Sequence, residues 1–541
     1  MQIQNIPLID TGQMHAAAND YLSHPSLLSE YINYLPDLKG LEQAIIARQK
    51  YPINRSLLVE RLNAQYQELN ANFFNENSNN ATKQNIALFS QENSFCITTG
   101  HQLNIFTGPL YFIYKICSAI SYAKSLKNLF PEKNFIPVYW MASEDHDFDE
   151  INHFHLFGKT LKWDIKPSGA VGKISLQNPD NADKIQEIIQ QLSELISRQT
   201  EGQYLLDIFR KGYTQNENLA QATRYIVHEL FKNDGLVIID ADDASFKKQL
   251  IPILKQDIFE KKFHPLIEES KKQLELKYNS VPVNPRTINV FYLGKDFRVR
   301  ITENESGYQA ENIKNWTAEE LLLEINNTPE NFSPNVVIRP MYQELILPNL
   351  AYIGGTNEIT YWLELKSAFE AGSVFFPQLI IRDSALWIGK KFAKDMELFK
   401  LEVKDFFRNK NEIKQAFYNA NDLKSPIEDD LEKFAITYEE LKLQAQKLSS
   451  DIASQLVKMS NEHLKDIKNI GKEIRKKKEE ENEKSLVKID KIFYLIFPEN
   501  NFQERYDNFI PYYLQYGEEF FNIIKDYFNP LKAELKIFLD K

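Results

Sequence analysis

Between Ser94 and Met141 the chain alternates two kinds of segment that only a few architectures accept. SFCIT (Ser94–Thr98) is a short, apolar, β-rich run closed by Thr99-Gly100, and a loop punctuated by Gly and Pro follows it. Pro109 opens a helical stretch to about Phe130, and FIPVYWM (Phe135–Met141) is a second run of the buried type. Strand, loop, helix and strand within about fifty residues make a βαβ unit, in which the two strands lie parallel. The pattern returns at Leu236–Asp240 (LVIID), before the acidic turn Ala241-Asp242-Asp243. It returns again at Leu350–Ile353, where Gly354-Gly355-Thr356 turns into a helix over Glu358–Phe369 and Phe375–Ile381 forms the next strand, ending at Arg382-Asp383-Ser384. The expected fold class is therefore α/β, a doubly wound parallel core over residues 1–385 with an insertion at about 155–330. Val290–Ile301 reads as a hairpin within that insertion, closed at Gly294-Lys295-Asp296. Residues 1–90 read as mostly helical, with a loop rich in Asn at Asn75–Asn80.

After about residue 390 strands are no longer expected. Ser425-Pro426-Ile427-Glu428 is a capping box with Pro at the first helical position. From Ile427, apolar residues including Leu431, Phe434, Tyr438, Leu441, Leu448 and Ile452 recur at alternating steps of four and three, which is a heptad seam. A break is expected around Leu456–Ser460. Leu486, Ile489, Phe493 and Ile496 resume the seam before Pro498. Residues 386–541 thus read as a helical coiled-coil domain, closing on itself or on a second chain, and a homodimer is expected. The aromatic tail Tyr506–Phe538 is too apolar to be free and is expected to pack back on the core.

Composition narrows the partners. The chain has 541 residues with 43% apolar content, 64 Lys plus Arg and 75 Asp plus Glu, for a net charge of −11. An acidic chain repels phosphate backbones, so nucleic acid is not an expected partner. The two cysteines, Cys96 and Cys117, sit among apolar residues and provide neither a disulfide scaffold nor a four-cysteine zinc site. No apolar stretch approaches the ~20 residues that span a bilayer, and the N-terminus lacks the pattern of a signal peptide. Cytoplasm is the expected location.

Two segments carry candidate chemistry, each just past an expected strand. The loop from Thr99 to Lys115 feeds a helix N-terminus, where free backbone N–H groups favour phosphate or carboxylate. Gly100 and Gly108 would let a ligand approach the backbone, and His101, Gln102 and Thr107 offer hydrogen bonds. ASEDHDFDEINHFH (Ala142–His155) gathers five carboxylates and three histidines. Glu144, Asp145, His146 and Asp147 are the candidates for a general base or for holding an amino group. The same cluster also supports a metal-dependent hydrolase, although its spacing matches no established zinc motif, and no dedicated metal site is assigned. Arg286, Arg339 and Arg382 each stand beside an apolar strand, where an arginine pairs with a carboxylate of the protein or of a substrate. Gly354-Gly355 is a second candidate anion cradle.

Five strings then narrow the choice: TGHQLNIFTGPLYFIYK, VYWMASEDHDFDEINH, NPRTINVFYL, SPNVVIRPMYQELILPNLAYIGGTNEITYWLELK and RDSAL. In this order they resemble the signature segments of the bacillithiol biosynthesis cysteine-adding enzyme family, a similarity that continues through the coiled coil. His101 departs from the pattern, which favours glutamine there. The resemblance implies a Rossmann-type core akin to class I aminoacyl-tRNA synthetases and a ligase that attaches L-cysteine to the amino group of glucosamine-malate. It implies ATP/ADP as cosubstrate, and the carboxylates of the Ala142–His155 segment could bind Mg²⁺. On this reading Gly100, His101, Gln102, Thr107 and Gly108 line the anionic end, and Tyr342 and Gln343 face the sugar. Gly354, Gly355, Arg382 and Ser384 close the opposite wall. Lys458-Met459-Ser460 resembles a synthetase triplet but lies in the coiled coil, away from the core. The rival of another class is a coiled-coil scaffold whose nucleotide-binding core is inactive.

Overall fold

A computed structural model describes residues 1–69, 80–279, 281–420 and 427–540. The Asn-rich loop at 75–79 and the capping residues Ser425 and Pro426 lie outside the described residues. At the centre is a five-stranded sheet in the spatial order Gln378–Ile381, Asn349–Gly354, Ser94–His101, Asn134–Met141 and Val237–Asp240. Every neighbouring pair is parallel. All eight residues of Ser94–His101 are buried, as a parallel strand covered on both faces demands. The crossover helix Tyr111–Leu129 buries thirteen of its nineteen residues, because the sheet lies on one side and the tail helix Glu519–Tyr527 on the other.

Several boundaries differ from the sequence reading. The strand starting at Ser94 runs on to His101, so Gly100 and His101 belong to its end, paired with Trp140 and Met141. The helix expected over Glu358–Phe369 is two, Thr356–Trp362 and Lys366–Ala371. The expected insertion at about 155–330 is not continuous, since it contains the core strand Val237–Asp240. A helical segment precedes that strand, and the antiparallel sheet carrying the hairpin Val290–Leu293/Arg298–Asn304 follows it. The hairpin itself forms as expected.

Strands also do not stop at residue 390. Glu534–Leu539 pairs antiparallel with Gln2–Pro7 and parallel with Ser384–Ile388, so the two ends of the chain close one three-stranded sheet. The tail packs back on the core as expected: Phe509, Phe520 and Phe538 share a cluster with Tyr114 and Trp387.

The helices Glu428–Gln446 and Ser450–Glu481 form an antiparallel hairpin, fixed by a hydrogen bond between Tyr438 and His463. Its turn falls at 447–449, not at Leu456–Ser460, because Ser449 accepts from the Asp451 N–H (3.3 Å) and so starts a new helix. Ala445 and Ala453 are buried beside this turn, whereas Leu441 and Leu448 are 43% and 85% exposed in the single chain. Leu486, Ile489 and Ile496 do not resume the coiled-coil seam; they are buried in the main core cluster that also holds Met396, Phe399 and Phe417.

Candidate active site

In a parallel sheet every strand ends on the same edge, so segments far apart in sequence converge there. At that edge lies a cavity of about 640 Å³. Gly100, Asp145, Gly355 and Arg382, from four separate segments, line it together. His101, Gln102, Glu144 and His146 also line it, and the hairpin supplies Phe291, Arg298 and Arg300 to its far wall.

Each acidic residue of the Ala142–His155 segment has a distinct setting. Asp145 accepts from the amide of Gln102 and from the His146 backbone N–H (2.7 Å), and lies 3.7 Å from the Arg298 guanidinium. Burial would raise its carboxyl, but bonds from His146 and Gln102 and the charge of Arg298 outweigh it and hold the group well below the usual range. Glu144 pairs with the fully buried Lys247, while burial pushes its carboxyl upward. His146 Nδ1 lies 2.8 Å from Arg298 Nη1 and 3.3 Å from Asp145 Oδ1, so the ring sits between the guanidinium and the carboxylate. Glu150, also on the wall, makes no ion pair within 4 Å among the described residues, and burial together with Asp147 and Asp145 raises its carboxyl. Asp147 instead caps the short helix Phe148–Ile151 from outside the cavity, accepting from the Glu150 N–H at 3.3 Å.

The Thr99–Lys115 loop is divided. His101 is 7% exposed, stacked on Tyr111 and edge-on to Phe112, with both ring nitrogens buried. Burial, then the charge of Lys115, keeps its imidazole neutral by lowering its pKa well below normal. Thr107 and Gly108 lie outside the cavity. Asn508 of the tail donates to the Phe106 and Gly108 carbonyls (2.9 and 2.6 Å), and the Leu110 N–H is taken by the Asp507 carbonyl (2.7 Å). Gly108 has φ +60°, and a side chain there would strike Asn104 within 3 Å, so glycine is needed for the turn. The expected phosphate cradle at Thr107-Gly108 is not open to a ligand: the Gly108 N–H is taken by the Ile105 carbonyl (2.9 Å) and the Leu110 N–H by the tail.

The opposite wall also differs from expectation. Gly355 lines the cavity and its N–H donates to Glu358 Oε2 (2.8 Å), but Gly354 is buried at the end of its strand. Arg382 forms a buried pair with Glu504 (3.0 and 2.5 Å), and Ser384 Oγ donates to the same carboxylate at 2.5 Å. Tyr342 and Gln343 are fully buried behind the wall: the Tyr342 hydroxyl donates to the Ala241 carbonyl (2.7 Å), and Gln343 bonds Glu344 (2.9 Å). Neither faces the cavity.

What the sequence reading missed is mostly positive charge. Seven Lys and Arg side chains line the cavity against four carboxylates. Lys115, one helical turn beyond Tyr111, pairs with Glu358 (2.5 Å) and donates to the Gly100 carbonyl (2.8 Å). Arg286, Arg300, Arg339 and Arg505 make no ion pair within 4 Å among the described residues. Among those residues, no three His, Cys, Asp or Glu side chains converge to hold a metal ion, and no helix is long and apolar enough to cross a membrane.

Comparison with known proteins extends these observations. The family model for the N-terminal Rossmann-like domain of bacillithiol biosynthesis BshC matches residues 1–383, and that for the C-terminal coiled-coil domain matches residues 385–539. A relative from Flavobacterium johnsoniae is 38% identical over 535 residues, covering 97% of this chain and 98% of its own length. One from Cytophaga hutchinsonii is 33% identical over 508 residues (94% and 93%), and one from Bacillus cereus 26% over 534 residues (96% of each). All three bear the name cysteine ligase BshC. With the parallel core, the helical hairpin and a match over nearly the full length, this chain belongs to the BshC family of bacillithiol biosynthesis.

Proposed function

We propose that the chain forms the amide between L-cysteine and the amino group of glucosamine-malate, the last step of bacillithiol assembly, at the cavity on the carboxyl edge of the parallel sheet. The observation that carries this reading is the surplus of cationic side chains on the cavity wall. In a chain of net charge −11 such a surplus serves a polyanion, here the two malate carboxylates and the phosphates of a nucleotide. Arg286, Arg300 and Arg505 are free to take those groups, since no carboxylate of the described protein holds them.

Amide formation needs an activated carboxylate and an unprotonated amine. ATP, with Mg²⁺ carried on its phosphates, would supply the activation. The chain's own part is to bind, orient and remove a proton. Of the four carboxylates on the wall, three are committed: Glu144 to Lys247, Glu358 to Lys115, and Asp145 to Gln102, His146 and Arg298. Glu150 remains, held by no cation among the described residues and only by a 3.4 Å bond from Gln102 Nε2, with its carboxyl raised by burial and by Asp147 and Asp145. It takes a proton from the substrate ammonium and leaves the free amine that attacks. Asp145 fixes His146 and Arg298 against the hairpin. The hydrolase alternative finds no converging ligand set among the described residues. The exposed heptad positions Phe434, Leu441 and Ile452 fit a homodimer of a cytoplasmic enzyme. The test is to incubate purified protein with glucosamine-malate, L-cysteine and ATP and follow the thiol product by mass. Absence of the product in a folded preparation that binds all three would overturn the assignment.

A further inference from the structure

We propose that Arg339 is an anion-binding residue of this cavity and that the buried pair Gln343–Glu344 acts as its positioning device. The inference rests on the proposed reaction for the ligand's identity but not for the geometry. Arg339 lines the cavity with no carboxylate within 4 Å among the described residues. Its guanidinium lies over the rings of Trp140 and Tyr352 (5.9 and 5.8 Å), shares a hydrogen bond with Tyr361 and donates through Nη1 to Gln343 Oε1 at 3.1 Å. Gly100 leaves the space beside it open: a side chain there would approach the Tyr352 hydroxyl to 3.3 Å and Arg339 Nη1 to 3.9 Å. A cation lying near two ring faces, beside a gap kept clear by glycine and with no carboxylate within 4 Å among the described residues, is arranged to receive an anion.

Gln343 cannot turn over. Its Nε2 donates to Glu344 Oε1 (2.9 Å), which sets its Oε1 toward Arg339; the flipped amide would set NH₂ against the guanidinium. Glu344 is fixed in turn. Its Oε1 also accepts from Asn349 Nδ2 (2.8 Å), and Asn349 Oδ1 accepts from Thr98 Oγ1 (2.9 Å), which anchors the chain of bonds between two central strands. A line of hydrogen bonds therefore runs from the middle of the sheet to the cavity wall and ends on an unpaired guanidinium. Gln343 and Glu344 are fully buried and touch no solvent, so their part is to hold Arg339 and not to meet the ligand.

The anion is a carboxylate of the malate moiety or a phosphate of the nucleotide, and calorimetric titration of the full-length protein with L-malate and, separately, with ATP distinguishes them. Arg339→Met is expected to weaken one of the two at least ~10-fold and leave the other within about threefold. Gln343→Met, close in shape but without the acceptor, is expected to weaken the same ligand by ~5-fold or more. On the Arg339→Met background it should add nothing, because Gln343 acts only through Arg339. Should Gln343→Met fail to fold, Arg339→Lys carries the test: it keeps the charge, loses the planar fork, and is expected to lose ~5-fold or more. Wild-type affinity in Gln343→Met or Arg339→Lys, or additive losses in the double variant, would overturn the positioning chain while leaving the reaction intact. A wild-type protein that binds neither L-malate nor ATP would overturn both.

Discussion

The buried pair Arg382–Glu504 should decide whether the C-terminal tail is an integral part of the core. Arg382 follows the last strand of the parallel sheet, and Glu504 lies in the tail more than a hundred residues later. Their side chains are 6% and 4% exposed, joined by two bonds at 3.0 and 2.5 Å, and Ser384 adds a third to the same carboxylate. Removing one member leaves the other charged and buried, which costs about 3–5 kcal/mol. Arg382→Met and Glu504→Leu should each destabilise by roughly that amount. The double variant Arg382→Met/Glu504→Leu should lie within about 2 kcal/mol of wild type, because two apolar groups in that space leave no orphaned charge. The coupling energy should therefore exceed about 2 kcal/mol and carry the sign of a rescue. The assay is urea unfolding followed by the fluorescence of Trp387, which packs among Tyr512, Phe520 and Phe538 of the tail and so reports its release. Single variants that each cost under ~1 kcal/mol, or a double variant as unstable as the sum, would refute the reasoning. Arg382 would then be available to ligands, as the sequence reading had it.

Three further outcomes follow from the site and the hairpin. Glu150→Gln should leave folding unchanged and lower product formation by ~10²-fold, the scale of a lost acid–base group; full activity in mass-detected turnover would return the base to another residue. Leu441→Asp should convert a homodimer to monomer without a large loss of thermal stability, because this side chain is already 43% exposed in the single chain; sedimentation of wild-type monomer at micromolar concentration would count against the dimer. Glu344, raised by burial to about 7 with Arg48 opposing, holds its proton in the folded chain over a pH window where the unfolded chain releases it. Stability should thus fall as pH rises from about 4 to 7, and Glu344→Gln should remove roughly 1–3 kcal/mol of that fall; equal urea midpoint differences at pH 5 and pH 8 would contradict this.

The parallel core was legible because its signal is local. Runs such as SFCIT, FIPVYWM and LVIID are short, apolar and bounded by turn residues, and a strand buried on both faces leaves that trace whatever surrounds it. From parallel strands the convergence of Gly100, Asp145, Gly355 and Arg382 follows by topology alone. The sheet formed by the two chain ends was not legible, since Gln2–Pro7 and Glu534–Leu539 are weak strands apart and become a sheet only through pairing over the whole length of the chain. The hairpin turn was misplaced for a smaller reason: the heptad spacing continues through Ser449, and only the serine's capping bond marks the break.

The composition of the cavity was legible only in part, because a residue type gives its chemistry but not its partner. Thr107 and Gly108 have the types of a phosphate loop, yet Asn508, four hundred residues later, takes the carbonyls of Phe106 and Gly108. Arg382 and Arg339 look alike in sequence, each following or opening a core element with apolar neighbours. The fold gives one of them Glu504, and gives the other the amide of Gln343 and a tyrosine, with no carboxylate within 4 Å among the described residues. That difference separates an arginine that holds the protein together from one left to hold a ligand. It arises from where the tail returns, a fact of tertiary structure on which local pattern is silent. The same return brings a C-terminal residue to the cavity: Arg505, next to the Glu504 that neutralises Arg382, lines its wall. A ligand bound there would be held in part by the C-terminal domain, so releasing the tail by breaking the Arg382–Glu504 pair should weaken ligand binding as well as stability, in proportion to the fraction of chains whose tail is free.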